Sequence, residues 1–127
     1  KNIVYRSLWE RKFMNYCDLN ENILEWASEE FWIPYKDPTT NRVRRYFPDF
    51  FIKYKDKDSN IRRSVIEVKP MRETKEPKAT KGKSRKTLIN ESMTYAKNQA
   101  KWKAAREFCK DRKLEFKIMT EKELGIR

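Results

Sequence analysis

Apolar positions recur along this chain first with helical and then with strand periods, and the changes of period mark out its elements. Leu8, Trp9, Phe13, Tyr16 and Cys17 follow helical spacing after an S-x-x-E capping box at Ser7 and Glu10, which predicts a first helix from about Leu8 to Leu19. After the polar turn Asn20 to Asn22, the segments Ile23 to Trp26 and Glu30 to Tyr35 are aromatic and β-branched, as short strands are. Pro34 confines the second to a strand edge or end. The turn residues Asp37 to Asn41 predict a hairpin joining the strand around Ile33 to one long strand from Arg44 to Tyr54. A polar insert, Lys55 to Asn60, predicts a second hairpin with Ile61 to Lys69. Periodicity then stops from Pro70 to about Thr87. It resumes as a helix from Leu88 to Arg112, with Met93, Ala96, Ala100, Ala104, Ala105 and Phe108 on its buried side and Trp102 joining them. Leu114 to Met119 is a closing strand, and Glu121 to Leu124 a short last helix. Trp9, Trp26, Trp32 and Trp102 are expected in the core.

The order helix, three strands, helix, strand predicts an α/β (α+β) fold in which two helices flank a mixed sheet. At 127 residues the chain fits one domain spanning 1–127.

Three charged side chains interrupt the apolar strands: Asp49 in Arg45-Tyr46-Phe47-Pro48-Asp49-Phe50-Phe51-Ile52, and Glu67 and Lys69 in Val65-Ile66-Glu67-Val68-Lys69-Pro70. Charge taken from water is costly unless it is paired or binds a metal. A turn centred on Asp58 would set Lys53 opposite Arg63 and Asp49 opposite Glu67, and directly opposed residues have Cβ atoms about 4.5 to 5.5 Å apart. Alternation along the strand puts Lys69 on the face of Glu67, while Ile66 and Val68 enter the opposite layer. A surface ladder of Glu67 and Lys69 with Lys53 and Arg63 is the alternative, but Phe50, Phe51, Ile66 and Val68 make both strands core elements. Two roles compete for Glu10, on the flank of the first helix's apolar stripe: it caps the helix, or it points into the site. Glu29 and Glu30 read as a solvated face, and Gln99 as a polar residue of the long helix.

Composition narrows the chemistry. The net charge is +12, and residues 71–127 hold 17 basic and 8 acidic side chains. Such a surplus predicts a polyanionic partner, DNA ahead of a membrane. Arg72, Lys75, Lys78, Lys81, Lys83, Arg85 and Lys86, in a flexible basic loop at 71–87, are candidates for holding phosphates. Lys97, Lys101, Lys103 and Arg106 form a positive helix flank. No apolar run reaches the length of a membrane span and no signal peptide shows, which predicts a soluble protein of the cytoplasm. The opening Lys1 predicts that a piece of the natural chain precedes it. Cys17 and Cys109 stand alone and histidine is absent, so zinc sites of the usual kind and Ser-His or Cys-His catalysis are excluded. Carboxylates, lysine and a hard, oxygen-binding metal remain.

With Pro48-Asp49 and Glu67-Val68-Lys69 on adjacent strands, the sequence resembles the PD-(D/E)xK nuclease superfamily. Tyr5 to Glu10, Arg45 to Phe50, Ile66 to Pro77, Trp102 to Ala105 and Phe116 to Glu121 are similar to the small head-completion nucleases of tailed phages. More distantly, the chain resembles transposase endonuclease subunits and free-standing phage homing endonucleases. Residues 79–86 share only basic character with that family. The resemblance implies a restriction-endonuclease-like core and a Mg²⁺-dependent endonuclease, with Mn²⁺ substituting, that leaves 5′-phosphate and 3′-hydroxyl ends. It implies Asp49 and Glu67 as metal ligands, Lys69 as the residue that orients or activates water, and Glu10 as an accessory acid. The expected setting is phage DNA packaging in the host cytoplasm, with capsid association. Alternatives are a site-specific homing enzyme and a non-catalytic DNA-end or capsid-associated binding protein. Double-strand cutting would call for a homodimer or successive nicks.

Overall fold

The structure, a computed structural model, describes residues 8–28 and 31–124. Ser7 of the expected capping box, and Glu29 and Glu30, lie outside the described residues. Helix α1 (Leu8–Leu19) is followed by β1 (Ile23–Ser28), β2 (Ile33–Asp37), β3 (Arg42–Tyr46), β4 (Phe50–Lys55) and β5 (Ile61–Val68). A 3₁₀ turn (Met71–Thr74), helix α2 (Arg85–Asp111), β6 (Glu115–Met119) and α3 (Glu121–Leu124) complete the order. The main sheet runs β1-β4-β5-β6, antiparallel except for the parallel β5–β6 pair that α2 bridges. Without the β2–β3 ribbon, α1, β1, β4, β5, α2 and β6 reproduce the expected order α-β-β-β-α-β.

The ribbon corrects one expectation. Arg44 to Tyr54 is not a single strand: it breaks at 47–49, and the strand around Ile33 pairs with β3 in a separate two-stranded sheet. Pro48 has no N–H to donate to a ladder, and a residue before proline is sterically restricted, so pairing stops there. The chain then changes partner, from β2 to β1 and β5.

The β4–β5 hairpin keeps the expected register. Lys53 pairs with Arg63 and Phe50 with Ile66. Asp56 sets the turn, its Oδ1 accepting the N–H groups of Asp58 and Asn60, both at 2.9 Å. Phe50, Ile52, Ile66 and Val68 face α1 and pack on Phe13 and Cys17. The opposite side is a second core of Ile33, Tyr35, Tyr46, Trp102 and Ala105 between the ribbon and α2.

Two expectations for α2 and one for the stretch before it need correcting. It begins at Arg85, where the Ser84 hydroxyl accepts the Thr87 N–H and caps it, in a basic first turn with no apolar periodicity to reveal it. Its buried positions are Asn98, Trp102, Ala105 and Cys109, whereas Met93 is exposed. The stretch from Pro70 to Thr87 is not wholly irregular, because it contains the 3₁₀ turn. Trp102 is a core residue and Trp9 and Trp26 are half-buried against the α1 core, but Trp32 is exposed beneath the Arg45 guanidinium. Burial pushes the Cys17 thiol up to about 12 and that of Cys109 to about 11, so neither supplies a thiolate.

Candidate active site

The break at 47–49 that ends β3 also places Asp49 just before β4, beyond the last ladder pair. Its Oδ2 accepts the Val68 N–H at 2.8 Å, which fastens the carboxylate to the end of β5. Val68 faces the α1 core and its neighbour Glu67 turns the other way, towards the ribbon and α2, as the pleat requires. There Glu67 is buried, 5% exposed. Tyr46, the last residue of β3, donates its hydroxyl hydrogen to Glu67 Oε1 at 2.5 Å. The buried Trp102 indole N–H lies close enough to favour the charged carboxylate while falling short of full hydrogen-bond geometry. Lys69 Nζ stands 3.9 Å from Glu67 Oε2, and the Lys69 N–H is held by the Met119 carbonyl at 3.0 Å.

Electrostatics sets this pair apart from the other carboxylates. Burial, then repulsion from Glu67 and from Glu10, raises Asp49 against the opposing hydrogen bond from Val68 and the charge of Lys69. Burial likewise raises Glu67, opposed by Tyr46, Lys69, Lys101 and Trp102. By contrast Glu115, although burial opposes its ionisation, is held at about 2 by hydrogen bonds from Ser64, Tyr54 and Arg62 and by Lys117. The structure thus keeps two carboxylates together against their own repulsion. A divalent cation with a preference for oxygen ligands relieves that repulsion, so the donor set fits such an ion. Among the described residues no three acidic or thiol side chains converge on one point, which leaves Asp49 and Glu67 as the acidic pair.

The other predicted site residues fall into two groups. Glu10, half-buried on α1, is near enough to Asp49 to act on its charge. Lys101 belongs with the carboxylates: its ammonium lies 5.8 Å from the centroids of both the Tyr35 and Tyr46 rings, and it feels Glu67, Lys69, Lys97 and Asp37. Burial lowers the Lys101 pKa, against the pull of Glu67. Arg72, Lys75, Lys78 and Lys83 line a groove beside α2, which Lys81, Arg85 and Lys86 do not. Lys83 already binds Glu91 Oε1 and the Lys78 carbonyl, both at 2.8 Å. Gln99 is half-buried on α2.

Sequence reasoning missed Tyr46 and Trp102 as partners of Glu67. Tyr46 stands in the same stretch as Asp49, but no local signal says that its hydroxyl reaches a residue on another strand. Asp37 was also missed: read as a turn residue, it is fully buried, accepting the Thr39 N–H and hydroxyl and pairing with Arg44 at 3.1 Å.

A mixed sheet between helices, with an acid before one central strand and an E-x-K at the end of the next, is the restriction-endonuclease-like arrangement of PD-(D/E)xK nucleases. The chain belongs to the TnsA-like endonuclease N-terminal family, whose model matches residues 20–121. It is also 38% identical over 124 residues to the head completion nuclease of Enterobacteria phage T4, an alignment covering 95% of this chain and 80% of that protein. No solved structure matches the chain. Among the described residues no helix is long and apolar enough to cross a membrane.

Proposed function

We propose that this protein is a Mg²⁺-dependent DNA endonuclease, served also by Mn²⁺, that hydrolyses phosphodiester bonds to 5′-phosphate and 3′-hydroxyl ends during phage DNA packaging or head completion. The observation that carries the reading is the half-buried Asp49 beside the buried Glu67, with Lys69 Nζ 3.9 Å from Glu67. The relative's name supports a phage nuclease role. Asp49 and Glu67 would hold the cation, which when bound polarises a phosphate oxygen and offsets charge developing on the leaving group.

The chain's own residues supply the positioning. Tyr46 holds Glu67 in one orientation while the nearby Trp102 indole N–H favours its charge, and the Val68 N–H orients Asp49. Lys69 donates hydrogen bonds to the attacking water and to the phosphate, which orients the nucleophile in line with the scissile bond. Lys101 adds a second fixed positive charge where phosphate negative charge grows. Glu10, entering from α1, is an accessory acid beside Asp49.

The test is incubation of supercoiled and linear DNA with the purified protein in Mg²⁺, Mn²⁺, Ca²⁺ or EDTA, alongside Glu67→Ala and Lys69→Ala. Cleavage by the wild type in Mg²⁺ and its loss in both variants are expected. Equal trace nicking by all three proteins would leave a binding protein without catalysis.

A further inference from the structure

The groove between the segment after Lys69 and the first half of α2 is not used by the chemistry above. Its volume is about 560 Å³. One wall is the 3₁₀ turn and the residues after it, with Arg72, Lys75 and Lys78 on the rim; the other is α2, with Asn90, Thr94, Tyr95 and Asn98. Lys83 ties the outer end of the segment to Glu91 of α2. At 100° per residue, Asn90, Thr94, Asn98 and Lys101 share one stripe of the helix. That stripe ends where Lys101 and Trp102 meet Glu67. The groove therefore lies along the same face of α2 that carries Lys101 beside Glu67.

Size and chemistry select the occupant. A space of this volume is that of a small-molecule pocket, about 300 to 1,000 Å³, and takes a nucleotide-sized group rather than the body of a duplex. Its charges nearly cancel: Glu73 and Glu76 also line it, and Glu91 is taken by Lys83. A channel for phosphates would be cation-lined. Two amides that each donate and accept, a threonine hydroxyl and a tyrosine ring instead match the edge and face of a base. A base edge with its pairing groups free exists only outside a duplex.

Building on the nuclease reading above, we infer that this groove holds one or two unpaired nucleotides next to the scissile phosphate, so that the substrate class is DNA with a single-stranded extension or flap at the cleavage point. Tyr95 stacks on the base, Asn90, Thr94 and Asn98 bond its edge, and Arg72, Lys75 and Lys78 meet the backbone at the rim.

Fluorescence anisotropy with Ca²⁺ in place of Mg²⁺ tests this on labelled blunt duplex, the same duplex with a short 5′ or 3′ single-stranded extension, and the free single strand. Wild type should bind an extended duplex about tenfold more tightly than the blunt one, the scale of one stacked base. Tyr95→Ala, which removes the ring, and Thr94→Trp, which fills the groove from an exposed position, should both bring that ratio close to one, with circular dichroism confirming the fold. Equal wild-type affinity for blunt and extended duplexes overturns the inference, as does a ratio that survives both variants. The two readings fail separately. Cleavage that needs Glu67 but shows no extension preference removes only the groove, and an extension preference lost in Tyr95→Ala, without Glu67-dependent cleavage, removes only the catalytic site.

Discussion

The Tyr46 hydroxyl donates to Glu67 Oε1 at 2.5 Å and so ties the end of the β2–β3 ribbon to the central strand of the main sheet. The bond favours the charged carboxylate against the burial that opposes it. Tyr46→Phe should cost about 1 to 3 kcal/mol of stability, the range for a buried acceptor losing a donor. Cleavage should fall about tenfold, a loss of roughly 1.4 kcal/mol at the transition state, and the Mg²⁺ concentration for half-maximal rate should rise. Urea denaturation and a Mg²⁺ titration of initial rates check both parts. An unchanged Mg²⁺ requirement would reduce Tyr46 to a packing role.

Asp49 and Glu67 repel one another, and burial sharpens the effect. Asp49→Asn should therefore raise the melting temperature of the metal-free protein at pH 8 while lowering cleavage by about 10²-fold or more, as loss of a fixed electrostatic group does. Addition of Mg²⁺ should raise the melting temperature of the wild type and not of the variant. Scanning fluorimetry with and without EDTA reads all of this at once.

The pH dependence of the metal-free protein should run in two directions. Asp49 is raised from 3.8 to about 7, so between those values the native state holds a proton that the unfolded chain has released, and stability falls as pH rises through that window. Glu115 is lowered from 4.5 to about 2, so its contribution is complete above 4.5 and is lost as pH falls towards 2. Melting temperature in EDTA should peak at mildly acidic pH. Asp49→Asn should flatten the alkaline side, and a Glu115→Gln protein the acid side.

Glu115 accepts from Tyr54 of β4 and from Ser64 and Arg62 of β5, which joins three strands at the end of the sheet away from Glu67. Glu115→Gln should cost about 2 kcal/mol in urea denaturation, the scale of hydrogen bonds to a charged group.

Lys101→Met keeps the hydrocarbon stem against the Tyr35 and Tyr46 rings and deletes the charge beside Glu67. The expected loss is about tenfold in kcat with KM little changed, because a charge acting on the transition state affects turnover rather than binding. A rise in KM at constant kcat would make Lys101 a DNA contact only.

The local pattern of the chain was enough for α1, for the β4–β5 hairpin and its register, and for the placement of Glu67 and Lys69 on one face, because these depend on periods of 3.6 and 2 residues and on a short turn. The alternation that sends Ile66 and Val68 to one core sends Glu67 to the other. It was not enough for the break at Pro48, because whether a strand continues past a proline depends on which neighbours compete for its two halves. Nor did it reveal Ser84 as the α2 cap or Asn98 as a buried position, since a basic first turn and a polar face leave no apolar stripe to read.

What the sequence by itself determined is the chemistry available: carboxylates and lysines in strands, no histidine, and the PD and E-x-K elements at a spacing that one hairpin brings together. Only the tertiary structure decided how those charges are held. Tyr46 comes from a ribbon that leaves the main sheet, and Trp102 and Lys101 come from the crossover helix required by the parallel β5–β6 pair. Contacts between elements so far apart in the chain follow from how the layers stack around Glu67, and no local periodicity encodes that.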